Sequence, residues 1–217
     1  TEKRMDYNSF DEFESILYKL AESDKYPKKT DAPLISPAIY KTETTRANSN
    51  VTGWGGFGII DVDDYEGDIK EIHNKYSKYR YVCYSTASST KEHPKFRLVF
   101  PLTEHVDVND IKHFWFALNK EIGDIADAQT KDLSRMYYIP SKYKGSYNFI
   151  FSHEGSVMDP KALMEKHRYV VPNESFFDKL PDAIKEGLIK HRKETLNKTD
   201  FSWTGYRDCP LVNKSHI

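Results

Sequence analysis

The sequence predicts an α+β fold built on an antiparallel sheet, and three stretches carry that reading. Phe57 to Asp63 (FGIIDVD) is an apolar strand that ends in acids. Tyr79 to Thr86 (YRYVCYST) and Phe96 to Leu102 (FRLVFPL) are two strands joined by a polar turn, hence a hairpin. Asp107 to Ile122 places Ile111, Phe114, Trp115, Leu118 and Ile122 on one helical face.

The remaining elements follow in chain order. Ser9 and Glu12 form a capping-box pattern ahead of Phe10, Phe13, Ile16, Leu17 and Leu20, which predicts an amphipathic first helix. Lys25 to Asn50 mixes Pro27, Pro33 and Pro37 with Lys, Thr and Asn without period, so it reads as a loop holding at most one short strand. After the acidic strand, Asp68 to Tyr76 reads as a short helix with Ile69, Ile72 and Tyr76 inward. Met136 to Ile139 and Tyr147 to Phe151 read as short strands joined by the Lys142, Lys144, Gly145 turn. The resulting order suggests helices on one face of a sheet, close to the RRM-like arrangement of split βαβ units, with an N-terminal α/β module. From Asp159 the pattern turns helical, over Pro160 to Lys166, Glu174 to Leu180 and Pro181 to Leu196. The expected division is therefore 1–170 as the main domain and 171–217 as a helical appendage or linker.

Composition removes several classes of function. A chain of 217 residues with 38% hydrophobic content can bury a real core. Its 32 Lys and Arg nearly cancel 33 Asp and Glu, so any basic surface must be local. Fifteen tyrosines suit stacking surfaces and cores alike. Cys83 and Cys209 stand far apart without Cys/His ligand spacing, so no zinc site is expected and a reducing, cytoplasmic setting fits. No apolar run suits a membrane span and no signal-peptide pattern opens the chain. The start at Thr1 without Met, and the end soon after Cys209-Pro210-Leu211-Val212-Asn213, read as a piece excised from a longer protein.

Three segments carry chemistry. Asp61 and Asp63 lie two apart on a strand, so both carboxylates leave one face while Val62 points to the other. Such a pair repels itself unless a cation intervenes, and hard Mg²⁺ or Mn²⁺ ions take oxygen ligands of this kind. The plain alternative is a strand end running into an acidic turn, since Asp64 and Glu66 follow. The second segment, Ser85-Thr86-Ala87-Ser88-Ser89-Thr90 followed by Lys91, His93, Lys95 and Arg97, gathers hydroxyls and cations at one hairpin turn, as a triphosphate requires. By itself it reads rather as a solvated Ser/Thr-rich hairpin with a few charges. The third runs from Asp127 through Asp132, Ser134 and Arg135 into Met136-Tyr137-Tyr138-Ile139-Pro140. Asp127 could complete a carboxylate triad, whereas Asp132 could be a turn cap and Arg135 a salt-bridge partner.

In this order the segments resemble the archaeo-eukaryotic primase superfamily, in particular the primase-polymerase domains of phage and plasmid replication proteins. The matching motifs are Ile60-Asp61-Val62-Asp63; Ser85 to Ser89 with Pro94-Lys95-Phe96-Arg97-Leu98-Val99; and Asp127, Ser134, Arg135, Tyr137, Tyr138 and Pro140. The resemblance covers roughly residues 35 to 155. It implies an RRM-like catalytic sheet and two Mg²⁺ or Mn²⁺ ions on Asp61, Asp63 and Asp127. It further implies a dNTP or NTP held by Ser88, Ser89, Lys95 and Arg97, a single-stranded DNA template, and a helicase region downstream. Arg135 would contact nucleotide or template, and Arg46 and Asn48 would add a phosphate or sugar contact, although a solvated loop explains Arg46 equally well. Many relatives carry a His after a small residue in the second motif, where this chain has Ser88 and Ser89. Either Lys95 and Arg97 manage without it or His93 reaches in from a displaced turn.

Two rivals compete. A non-catalytic RNA-binding domain is suggested by Gly55-Gly56-Phe57-Gly58-Ile59-Ile60, but Asp61 and Asp63 would repel a phosphate backbone. A metal-dependent nuclease or replication initiator would share the acids, yet the chain has no His-x-His. No P-loop motif occurs, so no helicase is expected within the fragment. On this reading, alanine at both Asp61 and Asp63 should stop synthesis while leaving the fold intact or stabilised by relief of repulsion. The helix over Pro181 to Lys198, rich in Lys185, Lys190, Arg192, Lys193 and Lys198, is the expected template contact, with Trp203 and Tyr206 as stacking partners and a solvated helix face as the alternative.

Overall fold

A computed structural model describes residues 7–127, 132–169 and 180–196. The chain divides into Thr1–Tyr169 and Val170–Ile217. The first unit opens with helix α1, Phe10–Glu22, whose N-cap Ser9 accepts a hydrogen bond from the Glu12 backbone N–H at 3.2 Å. The Glu12 carboxylate reaches back to Asn8 N–H at 2.8 Å, one residue beyond the usual capping-box partner.

The main sheet is antiparallel throughout and has four strands: β4 (Phe57–Val62), β5 (Tyr81–Ser85), β6 (Phe96–Pro101) and β9 (Ile150–His153), in the spatial order β4-β6-β5-β9. Because β6 lies between β4 and β5, the chain passing from β4 through helix α2 (Ile72–Lys75) to β5 makes a split βαβ unit. Both predicted hairpin strands pair as expected, Val82 opposite Val99 and Tyr84 opposite Arg97. The α+β class and antiparallel sheet are thus those that the sequence predicts.

The two faces of the sheet are both covered, which differs from the expected one-sided packing. Ile60, Val62, Tyr81, Cys83, Phe96, Leu98 and Phe100 pack with Ile72 of α2, with Phe114 and Leu118 of helix α3 (Ile111–Glu121) and with Leu163 of helix α4 (Pro160–Lys166). The opposite face, Phe57, Ile59, Val82, Tyr84 and Val99, packs with Phe13 and Leu17 of α1 and with Tyr137. The reason is alternation: β4, β5 and β6 are buried along their whole lengths, so each needs an apolar layer on both sides. Burial of side chains such as Leu17 contributes about 1.5–3 kcal/mol each.

Two further differences concern the short strands. The Lys25 to Asn50 loop contains β1 (Leu34–Ile35) and β2 (Ala38–Tyr40), and β3 (Val51–Trp54) follows it. Strand β8 (Tyr137–Tyr138) pairs with β1, while β9 joins β5, so the two strands expected to be joined through the Lys142 turn belong to separate sheets. Strands β2, β3 and β7 (Val106–Asp107) make a third small sheet. Cross-strand partners so distant in sequence leave no local period, and two-residue strands give no alternation to read.

In the second unit, helix α5 spans Asp182–Leu196, close to the predicted range. Its Ile184 and Ile189 are exposed. Of the helix expected over Glu174 to Leu180, residues 174–179 lie outside the described residues, as do Lys198, Trp203 and Tyr206. No described helix is long and apolar enough to cross a membrane.

Candidate active site

Asp61 is the penultimate residue of β4, and the register sets it directly opposite Arg97 of β6, which in turn faces Tyr84 of β5. Three side chains from three adjacent strands therefore meet on the α1 face of the sheet. The Arg97 Nη2 donates to Asp61 Oδ2 at 3.2 Å, and Nε stands 3.1 Å from Oδ1. That second approach is not aligned as a hydrogen bond, so Asp61 Oδ1 and Arg97 Nε are both buried without a hydrogen-bond partner. Arg97 Nη1 donates to the Tyr138 carbonyl at 3.0 Å, and the Tyr84 hydroxyl donates to the same oxygen at 3.2 Å. The guanidinium also lies 5.6 Å from the centre of the Tyr137 ring.

Burial pushes the Asp61 carboxyl above its usual pKa; Arg97 opposes the shift, and nearby Asp63 adds to it. Asp63 lies just past β4 and is half-buried, with Lys95 Nζ 3.5 Å from its Oδ1. Each acid of the pair is thus matched by a cation, Asp61 by Arg97 on β6 and Asp63 by Lys95 just before that strand. Val62 between them is fully buried in the opposite core.

Asp127 reaches the site through its backbone, its N–H donating to the Asp61 carbonyl at 2.9 Å. Among the described residues, no three His, Cys, Asp or Glu side chains are grouped to hold a metal ion. What fits a divalent cation is narrower: two hard carboxylates electrostatically coupled to one another, one of them with a buried oxygen that no hydrogen bond satisfies.

The segment after Asp127 is braced by the loop before β3. Asn48 Nδ2 donates to Asp132, Asn48 Oδ1 accepts from Ser134 N–H at 3.1 Å, and Arg46 Nε donates to the Ser134 carbonyl at 3.0 Å. Trp54 Nε1 donates to the Leu133 carbonyl at 2.8 Å. Arg135 lies near enough to lower the Asp61 pKa in part. Arg46, Asn48 and Asp132 are accordingly joined around Ser134, next in sequence to Arg135, the residue among these four whose charge acts on Asp61.

The turn between β5 and β6 divides its residues. Ser89 is buried, and its hydroxyl accepts from Lys95 N–H at 3.1 Å, so it shapes the turn. Ser88 and His93 are exposed, and His93 N–H bonds Thr90 Oγ1 at 3.0 Å. Arg97, expected to grip phosphate, is 7% exposed and turned toward Asp61 and Tyr138. Tyr138 stands in the third motif without a role of its own, and its carbonyl is what meets Arg97; Tyr84 alternates with the core and carries no signal beyond that.

Fold and site define a class: an α+β domain in which a buried edge strand of the main sheet brings paired acids to two cations. The chain belongs to the VapE N-terminal domain family, whose pattern matches residues 41–172. No curated protein matches it. Among solved structures it is similar to the AEP domain of the cyanophage S-2L primase-polymerase, with 16% identity and a TM-score of 0.40. That match covers 55% of this chain and 63% of the other.

Proposed function

We propose that the domain performs template-directed nucleotidyl transfer on single-stranded DNA, with primase and polymerase activity, in phage or plasmid replication. The observation that carries the reading is the paired register of acids and cations, Asp61 with Arg97 and Asp63 with Lys95, at one sheet end. Asp61 and Asp63 would supply oxygens for Mg²⁺ or Mn²⁺, two ions in all, and Asp127, held near them by its backbone, would have to turn its carboxylate inward to act as a further ligand, since the three acids are not grouped as they stand. When bound, such ions favour deprotonation of the attacking 3′-hydroxyl and offset charge on the departing pyrophosphate. Lys95, half-exposed, turns from Asp63 to the dNTP or NTP phosphates, with Ser88 and His93 at the turn as further donors. Arg97 keeps Asp61 oriented and ionised, and Arg135 and Arg46 face nucleotide or template.

Incubation of the protein with single-stranded templates, labelled nucleotides and Mg²⁺ or Mn²⁺ tests this. Template-dependent products that disappear with chelator are expected. Shortening of an end-labelled strand with no incorporation would point to a nuclease instead.

A further inference from the structure

Two loops far apart in sequence are fastened to each other and form a lysine-rich surface. Lys142 N–H donates to the Ser23 carbonyl and Lys144 N–H to the Pro27 carbonyl, each at 3.0 Å. The buried Ser141 hydroxyl bonds the carbonyls of Ser23 and Tyr26, and the Tyr143 hydroxyl donates to the Ile139 carbonyl at 2.7 Å. The backbone and buried side chains hold the surface, leaving Lys25, Lys28, Lys29, Lys142 and Lys144 exposed. None of the five is in an ion pair among the described residues. Across 23–31 and 141–147 the acids are Asp24 and Asp31 alone, so five lysines face two aspartates in a chain of net charge −1.

The patch is continuous with the site. Lys29 Nζ lies 5.1 Å from the centre of the Tyr138 ring, and the Tyr138 carbonyl holds Arg97, which holds Asp61. On its other flank Tyr147 N–H donates to the Ser89 carbonyl at 2.8 Å, joining the turn that carries Lys91, His93 and Lys95. Half-buried Tyr26, Tyr138 and Tyr147 lie among the cations. No large apolar side chain of these loops is exposed, which argues against a lipid surface.

We propose that this surface, which includes no residue of α5, is the track for the backbone of single-stranded DNA leading to Asp61. The choice of partner rests on the proposed nucleotidyl transfer. Phosphates neutralise the lysines with release of counterions, and the tyrosines offer rings to unpaired bases.

The test is fluorescence-anisotropy binding of a labelled oligo(dT) across a salt series, with Lys28, Lys142 and Lys144 all changed to Gln (K28Q, K142Q, K144Q). Since single strands give a slope of about −0.7 per neutralised phosphate, the slope of log K against log salt should shallow by about 2. Replacing the same three with Arg should restore it, and nucleotide binding and the melting temperature should not move. An unchanged slope overturns the proposal, as does a loss of nucleotide binding with strand binding intact. Should Asp63→Asn leave synthesis undiminished, the transfer reading fails while the salt slope still reports on the track.

Discussion

Asp61 is more than a charge at a strand end, because its partner is buried with it. Removing one member of a buried ion pair strands the other, at a cost of about 3–5 kcal/mol. Asp61→Ala should therefore lower the melting temperature markedly, because Arg97 would keep its charge with only the Tyr138 carbonyl to receive it. The sequence alone led to the opposite expectation, a fold left intact or stabilised, because it showed the repelling neighbour Asp63 and hid the cation across the ladder. Asp63 is half-buried and its Lys95 partner reaches solvent, so Asp63→Asn should cost within about 1 kcal/mol in thermal denaturation. A melting temperature equal for both variants would refute the burial argument.

At the scale of elements, two contacts set how α3 meets its neighbours. A Cβ added at Gly58 of β4 would lie 3.2 Å from both Phe114 and Leu118 of α3. Gly58→Ala should thus cost about 1–3 kcal/mol in chemical denaturation by forcing α3 away, and a neutral result would show that the helix yields freely. The glycine run that superficially suggested an RNA-binding strand has, at this position, a packing cause.

The second contact is Glu121 at the end of α3. Burial pushes its carboxyl up, but hydrogen bonds from Lys166 and His167 at the end of α4, and from Tyr79, outweigh burial and hold its pKa at about 2. A depressed carboxylate stabilises the fold fully above its unfolded pKa of about 4.5 and loses that contribution as pH falls toward 2. Glu121→Gln should cost about 2 kcal/mol at neutral pH. Its deficit relative to wild type should shrink as acid unfolding is followed from pH 5 downward, and a deficit constant with pH would contradict the assignment.

Over the whole molecule, legibility tracks the range of the interactions. Helices α1, α3 and α5, and strands β4, β5 and β6, show in the sequence because period, cap and apolar run are local properties. The pairings β1 with β8 and β2 with β3 and β7 do not, since partners such as Leu34 and Tyr138 meet only after the chain has folded. The site divides in the same way. Asp61, Asp63 and Lys95 were visible as motif and charge, whereas the enclosure of Arg97 by Tyr84 and the Tyr138 carbonyl depends on register across three strands. The lysine surface is not legible in the sequence, because Lys25 to Lys29 and Lys142 to Lys144 each look like ordinary solvated turns until hydrogen bonds join them.

Whether Asp63 takes part in nucleotidyl transfer is decided by primer extension with Asp63→Asn beside the wild-type protein, at a temperature where both are folded. Asp63 is the acid whose replacement spares the fold, so a lost signal reports on chemistry. The wild type should show metal-dependent incorporation and the variant a loss of at least about a hundredfold, the scale of a lost transition-state contact of roughly 2.7 kcal/mol. Extension by the folded variant at the wild-type rate would contradict it.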